Sequence, residues 1–288
     1  MPMRDITGAP STSTMLRWTT LIVIVANMAF IVIYNSIGES PTIAELVAAY
    51  GDTLVPAGYA KGMGMAVLFA FLVFYVAGLL PSRRRRRTYN KLVIPLVLTS
   101  VLASGWIVAF RHESTDLSVV LLAAIVALAG IMFARVASVA PGKYSHWLRV
   151  PFSLHFAAMT IALLVNLTQW SNVAITPDVA AAPLLALATV AGGFVALRYR
   201  DFVYPAVIAS AAVAMFVTQY VLRPEVAAAA LMVSAGMIAV AVLAAVAMAR
   251  QPRPERRARS SRSGPVIARS TPEANWYPIE GNTSVIRL

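Results

Sequence analysis

Residues 57–111 read AGYAKGMGMAVLFAFLVFYVAGLLPSRRRRRTYNKLVIPLVLTSVLASGWIVAFR, two long apolar runs separated by Pro81 and five consecutive arginines, Arg83, Arg84, Arg85, Arg86 and Arg87. A helix needs about 20 mainly apolar residues to cross the hydrocarbon core of a bilayer, and each run supplies that length. The arginine block is too costly to bury in hydrocarbon, so the pair reads as a membrane hairpin with a solvated link. The same pattern extends in both directions. Apolar stretches at roughly 15–37, 57–80, 92–111, 117–138, 150–171, 179–198, 203–222 and 225–249 predict an all-α integral membrane protein with eight transmembrane helices.

Charge orients these spans. All but Lys61, Arg111 and Arg223 of the 24 Lys and Arg residues fall on one side of the pattern, whereas Glu39, Glu45, Asp52, Glu113, Asp116, Asp178 and Glu225 fall on the other. The positive-inside rule then predicts that both termini are cytoplasmic in a multi-pass protein of the cell membrane. The apolar run from Met15 to Ile37 exceeds a signal-peptide core and lacks a small-residue cleavage site, so it reads as the first span.

A net charge of +12 beside a 59% hydrophobic composition resolves into apolar spans with basic links, which removes any need for a nucleic-acid partner. The expected partners are the bilayer itself and anionic headgroups at the basic loops and tail, with Arg83–Arg87 as candidate headgroup contacts. The absence of cysteine excludes disulfides and thiolate chemistry.

Four regions follow: a cytoplasmic N-terminus (1–14), a five-span bundle (15–171) with an outer loop (38–56), three further spans (172–249) and a basic tail (250–288). In the outer loop, Ser40-Pro41 precedes Ile43, Leu46, Val47 and Tyr50 at helical spacing, which predicts a short interfacial helix. The tail begins with Arg250, Arg253, Arg256, Arg257, Arg259 and Arg262, continues with Ser, Pro and Gly, and reads as disordered. Gly192, Gly193, Ser234 and Gly236 predict close helix packing, within the chain or in a homodimer.

The predicted spans contain almost nothing ionisable. That argues against carboxylate proton relays and paired-aspartate proteolysis. His155 is the exception, sharing a helical stripe with Ala158, Ala162, Asn166 and Gln169; the stripe serves either helix packing or a pocket wall. No metal site is expected, because His112 and His146 lie in links on opposite sides. Asn27 reads as an interhelical hydrogen-bond partner. Trp106 and Tyr59 stand near the outer ends of their spans, and Lys61 and Arg111, with Glu113, either form an outer charged rim or snorkel to the interface. Pro95, Pro183 and Pro205 are permissive of the broken helices that a permease uses.

Particular residues carry a family resemblance. Pro56-Ala-Gly-Tyr59 opens the second span, Trp106 lies in LASGWIVAFRHE of the third, and Pro151-Phe152 followed by Ala162-xxx-Asn166 marks the fifth. In this order and spacing, residues 15–171 resemble the translocator protein / tryptophan-rich sensory protein family, particularly long bacterial members with extra C-terminal helices. The resemblance implies a five-helix translocator-like bundle plus three helices, and a porphyrin, heme or sterol-like ligand beneath the 38–56 loop. Two family aromatics are replaced, near Gly64 and at Ala158, which implies an altered pocket.

The expected function is non-enzymatic: binding or sensing of a hydrophobic or tetrapyrrole-like molecule, with Tyr59, Trp106, His155 and Asn166 as candidate contacts. The alternatives are a small-molecule permease and an assembly or regulatory subunit acting through its basic tail, which contains Asn275-Trp-Tyr-Pro.

Overall fold

Long apolar segments satisfy their backbone hydrogen bonds in lipid only as helices or closed barrels, and here they are helices. The computed structural model describes residues 12–36, 67, 83–138, 143–171 and 177–250. Among these residues the elements are α1 (Thr12–Ser36), α2 (Arg83–Arg111), α3 (Thr115–Ala137), α4 (Lys143–Ser171), α5 (Pro177–Tyr199), α6 (Val203–Gln219) and α7 (Pro224–Ala249). Five segments are long and apolar enough to cross a membrane: Lys91–Arg111, Thr115–Ala137, Arg149–Trp170, Ala182–Tyr199 and Pro224–Ala249. Trp18–Ile31 and Val203–Gln219 are shorter apolar helices.

The span at 57–80, the outer loop at 38–56 and the tail beyond Arg250 lie outside the described residues, apart from Val67, which is helical and buried. Two predicted boundaries move. The arginines Arg83–Arg87 form the first turns of α2 rather than a separate link, and α4 starts at Lys143, since arginine and lysine are good helix formers and carry a helix beyond the hydrocarbon without breaking it. Pro95 and Pro183 lie within continuous helices, and Pro205 lies in the first turn of α6, where its missing N–H is tolerated. The discontinuities permissive of a permease are therefore not found at these prolines.

Contacts define the stacking. Gly105 faces Leu121, so α2 and α3 run antiparallel. Ser118 meets Asn166 and Phe133 meets Phe156, so α3 and α4 are also antiparallel. Asn27 meets Ser104, and Tyr34 meets Arg111, which sets α1 parallel to α2. Helix α4 further packs on α5 and α6, and α7 closes against both α5 and α6.

Two helix connections use left-handed residues, Glu113 (φ 56°) and Arg200 (φ 52°), a conformation uncommon outside glycine. Both stand just past a helix end, where a left-handed residue turns the chain back. Gly192 permits a close approach of a different kind: a Cβ there would lie 2.7 Å from the Met237 sulfur, whereas its neighbour Gly193 faces open space.

The described helices thus have two ends. One carries Lys91, Arg135, Arg149, Arg198 and Arg200, and the other carries Glu113, Asp116 and Glu225. They are called the basic and the acidic end below.

Candidate functional site

At the acidic end, side-chain hydrogen bonds join neighbouring helices. Ser104 Oγ donates to Asn27 Oδ1 at 2.5 Å, tying α2 to α1. Ser118 Oγ donates to Asn166 Oδ1 at 2.9 Å, and Trp170 Nε1 donates to Asp116 Oδ1 at 2.6 Å, tying α3 to α4. Asn166 Nδ2 turns back on its own helix, reaching the Ala162 carbonyl at 3.4 Å.

Two donors in this layer stand apart. Trp106 Nε1 and Gln169 Nε2 are both buried and have no acceptor among the described residues. A buried donor without a partner costs about 1–3 kcal/mol, so each is a position where an incoming acceptor gains more than an ordinary hydrogen bond. Trp106 is partly buried, its ring packing on Phe110 of the same helix at 5.9 Å. Trp18 and Trp170 are about half exposed, as belt residues are.

Arg111 departs from both readings of its sequence. It is buried at 7% exposure. Its Nη1 donates to the Tyr34 carbonyl, and its guanidinium lies 4.5 Å from the Tyr34 ring centroid. Arg111 therefore clamps α2 to the end of α1, because a cation–π contact and a carbonyl bond in a dry setting outweigh snorkelling. Tyr59 and Lys61, the remaining acidic-end candidates, lie outside the described residues.

His155 is at the other end of the bundle. It precedes Phe156, which packs on Phe133 at 6.0 Å, whereas Trp106 follows Gly105, which faces Leu121. Leu121 and Phe133 are twelve positions apart on α3, or about 18 Å along its axis. Trp106 and Asn166 thus share one level, and His155 does not join them. His155, Ala158, Asn166 and Gln169 are buried and Ala162 is partly buried, so most of the predicted stripe faces inward.

The basic end is organised by Asp201, a residue that the sequence reading passed over among its arginine neighbours. Its carboxylate, 7% exposed, accepts from Ser153 Oγ at 2.6 Å and from the Tyr204 backbone N–H at 2.9 Å. Burial pushes its pKa upward, while bonds from Ser153 and the Tyr204 and Val203 backbones, and the charge of Arg149, pull against that shift. Asp201 caps α6 and ties it to α4. An Asp directly before an aromatic-rich helix start was the available signal.

Around it, Tyr204 Oη donates to Thr160 Oγ1 at 3.1 Å, and Arg149 Nη2 donates to the Ala137 carbonyl at 2.9 Å. Phe156 packs on Tyr204 at 4.9 Å, and Tyr199 meets Phe133 edge-on at 5.1 Å. The side chains of Arg83–Arg87 lie outside the described residues, although their backbone is helical.

An apolar cavity of about 40 Å³ opens between α4, α5 and α6, lined by residues including Leu164, Val165, Leu185, Ile208 and Met215. Ligand pockets are commonly about 300–1,000 Å³. A porphyrin or sterol does not fit there. Neither Trp106 nor Gln169 lines this cavity.

No curated protein and no solved structure matches the sequence. A family model described as TSPO-like protein matches residues 16–246, so the likeness seen in the first five spans extends across α5 and α6 and through nearly all of α7. With five helices fit to cross a bilayer and a family match over most of its length, the chain is a multi-pass membrane protein and belongs to the TSPO-like protein family.

Proposed function

We propose that the protein is a non-enzymatic membrane receptor for an apolar small molecule bearing a hydrogen-bond acceptor, of the tetrapyrrole or sterol type, bound toward the acidic end of the bundle. The observation that carries this reading is the pair of buried donors, Trp106 Nε1 and Gln169 Nε2, flanking a layer in which Asn27, Ser104, Ser118 and Asn166 are paired. Family membership supports a ligand-binding or sensing role over catalysis.

The proposed topology has eight spans, both termini in the cytoplasm and the basic end inward, as the distribution of Arg and Lys favours. Ligand then enters from the outer side, and the tail and N-terminus share the compartment in which binding is reported. His155, at the opposite level, has a packing role.

The test is thermal unfolding of the solubilised protein with protoporphyrin, heme or a sterol. Ligand at 100 times its dissociation constant stabilises by about 2.7 kcal/mol. Trp106→Phe keeps an aromatic ring, though a smaller one, and removes the N–H, so the shift should shrink in that variant and in Gln169→Leu, but persist in His155→Ala. A shift lost only in His155→Ala moves the site to the basic end, and no shift with any of the three ligands sinks the proposal.

A further inference from the structure

The outward face of α2 and α3 has an order that helix packing does not require. Among the described side chains of α2 the exposed positions are Lys91, Ile94, Leu98 and Val101, spaced 3, 4 and 3 residues apart and therefore in one line. On α3, running the other way, Val120, Ala127, Ile131 and Arg135 are exposed. Both lines are apolar along the membrane and end in a cation at the same level.

The two positions are held side by side: Arg135 Nη1 donates to the Lys91 backbone carbonyl at 3.2 Å. Both side chains are exposed. Asp201, the one carboxylate described at the basic end, is buried and engaged with Ser153 and the α6 N-terminus. From Lys91 to Val101 the line runs about 15 Å. That is one leaflet, half of a hydrocarbon core of about 30 Å.

We propose that this face seats an anionic phospholipid of the leaflet at the basic end. Its phosphate lies between Lys91 Nζ and the free guanidinium edge of Arg135, and its acyl chains lie along Ile94, Leu98, Val101 and Ile131. Length, charge and the alternation of apolar stem with cationic tip all match one such lipid, and a soluble anion makes no use of the apolar line. The seat is independent of the acidic-end site, so either fails without the other.

The experiment uses the full chain in neutral detergent, titrated with phosphatidylglycerol, phosphatidylcholine or inorganic phosphate and followed by thermal unfolding and by native mass spectrometry of retained lipid. Phosphatidylglycerol should stabilise and be retained, and phosphatidylcholine and phosphate should not. Each cation near the headgroup contributes about fivefold, so Lys91→Gln should weaken retention about fivefold and Lys91→Gln with Arg135→Gln about 25-fold. Arg135→Lys, which keeps the charge, should retain the lipid.

Equal stabilisation by inorganic phosphate overturns the lipid in favour of a free anion. Unchanged retention in the folded double variant overturns the site. Because the chain has no cysteine, Leu98→Cys gives a further check: efficient disulfide formation between copies in the membrane shows that a second copy covers the face, and overturns the proposal.

Discussion

The two ends of α4 satisfy buried polarity to different degrees. At the basic end Asp201 accepts from Ser153 and the first turn of α6, and Tyr204 finds Thr160, while Arg149 reaches the Ala137 carbonyl through Nη2 and only its Nε lacks an acceptor among the described residues. At the acidic end Ser118 finds Asn166, but Trp106 Nε1 and Gln169 Nε2 are left without acceptors among the described residues. Satisfied buried networks fix one arrangement of helices, whereas unmet donors carry an energetic penalty that an arriving acceptor relieves. The contrast separates an end fastened through one carboxylate from an end that keeps two uncharged donors without acceptors, where the proposed ligand would bind.

The sharpest way to break this contrast is to damage the basic end. Asp201→Ala removes the cap of α6 and strips Arg149 of its nearby counter-charge, and should destabilise by about 3 kcal/mol. Ser153→Ala, which removes one hydrogen bond to a charged acceptor, should cost about 1.5 kcal/mol. Reversible unfolding in mixed micelles measures both, and a loss under about 0.5 kcal/mol in Asp201→Ala would show that the basic end is not the fastening point.

A pH series tests the same carboxylate more gently. Burial holds the Asp201 pKa above its ordinary value of 3.8, so the folded state binds this proton more tightly than the unfolded chain. The stabilisation associated with that proton is complete below 3.8 and is lost as pH rises through the folded-state pKa. Asp201→Asn keeps a capping acceptor and does not titrate. It should cost less than Asp201→Ala and should lack this decline; parallel pH curves for the parent and Asp201→Asn would assign the dependence to another group.

The smallest effects belong to the acidic end. Gln169→Leu removes a buried unpaired amide and should leave stability unchanged or raise it by about 1 kcal/mol without ligand. Trp106→Phe loses no hydrogen bond to a described residue but does lose ring volume, and should cost about 1 kcal/mol when unliganded. Marked destabilisation by Gln169→Leu would reveal a structural partner for its amide and end the distinction between the two ends.

Much of this was legible in the sequence. The arginines before Lys91, the run to Arg111 and the tight turn to α3 follow from hydropathy and charge, because lipid enforces helices and excludes ions. The stripe from His155 to Gln169 was visible from helical spacing alone, and its burial follows. The roles within the stripe were not: spacing places residues on one face but does not give their height against other helices, and height puts His155 about 18 Å from the level of Trp106. Arg111 shows the same limit, since its counterpart is the Tyr34 carbonyl and ring, 77 positions away.

By itself, then, the sequence determined a helical membrane chain, the ends of the described helices to within a few residues except the starts of α2 and α4, and an asymmetry of charge between the two ends, since these depend on the length and polarity of local segments. Tertiary structure alone decided that Asp201 is the fastening point, that Arg111 turns inward, and that Lys91 and Arg135 meet at one level. Those outcomes depend on which residues of different helices share a height, and helix packing sets that height where local sequence does not.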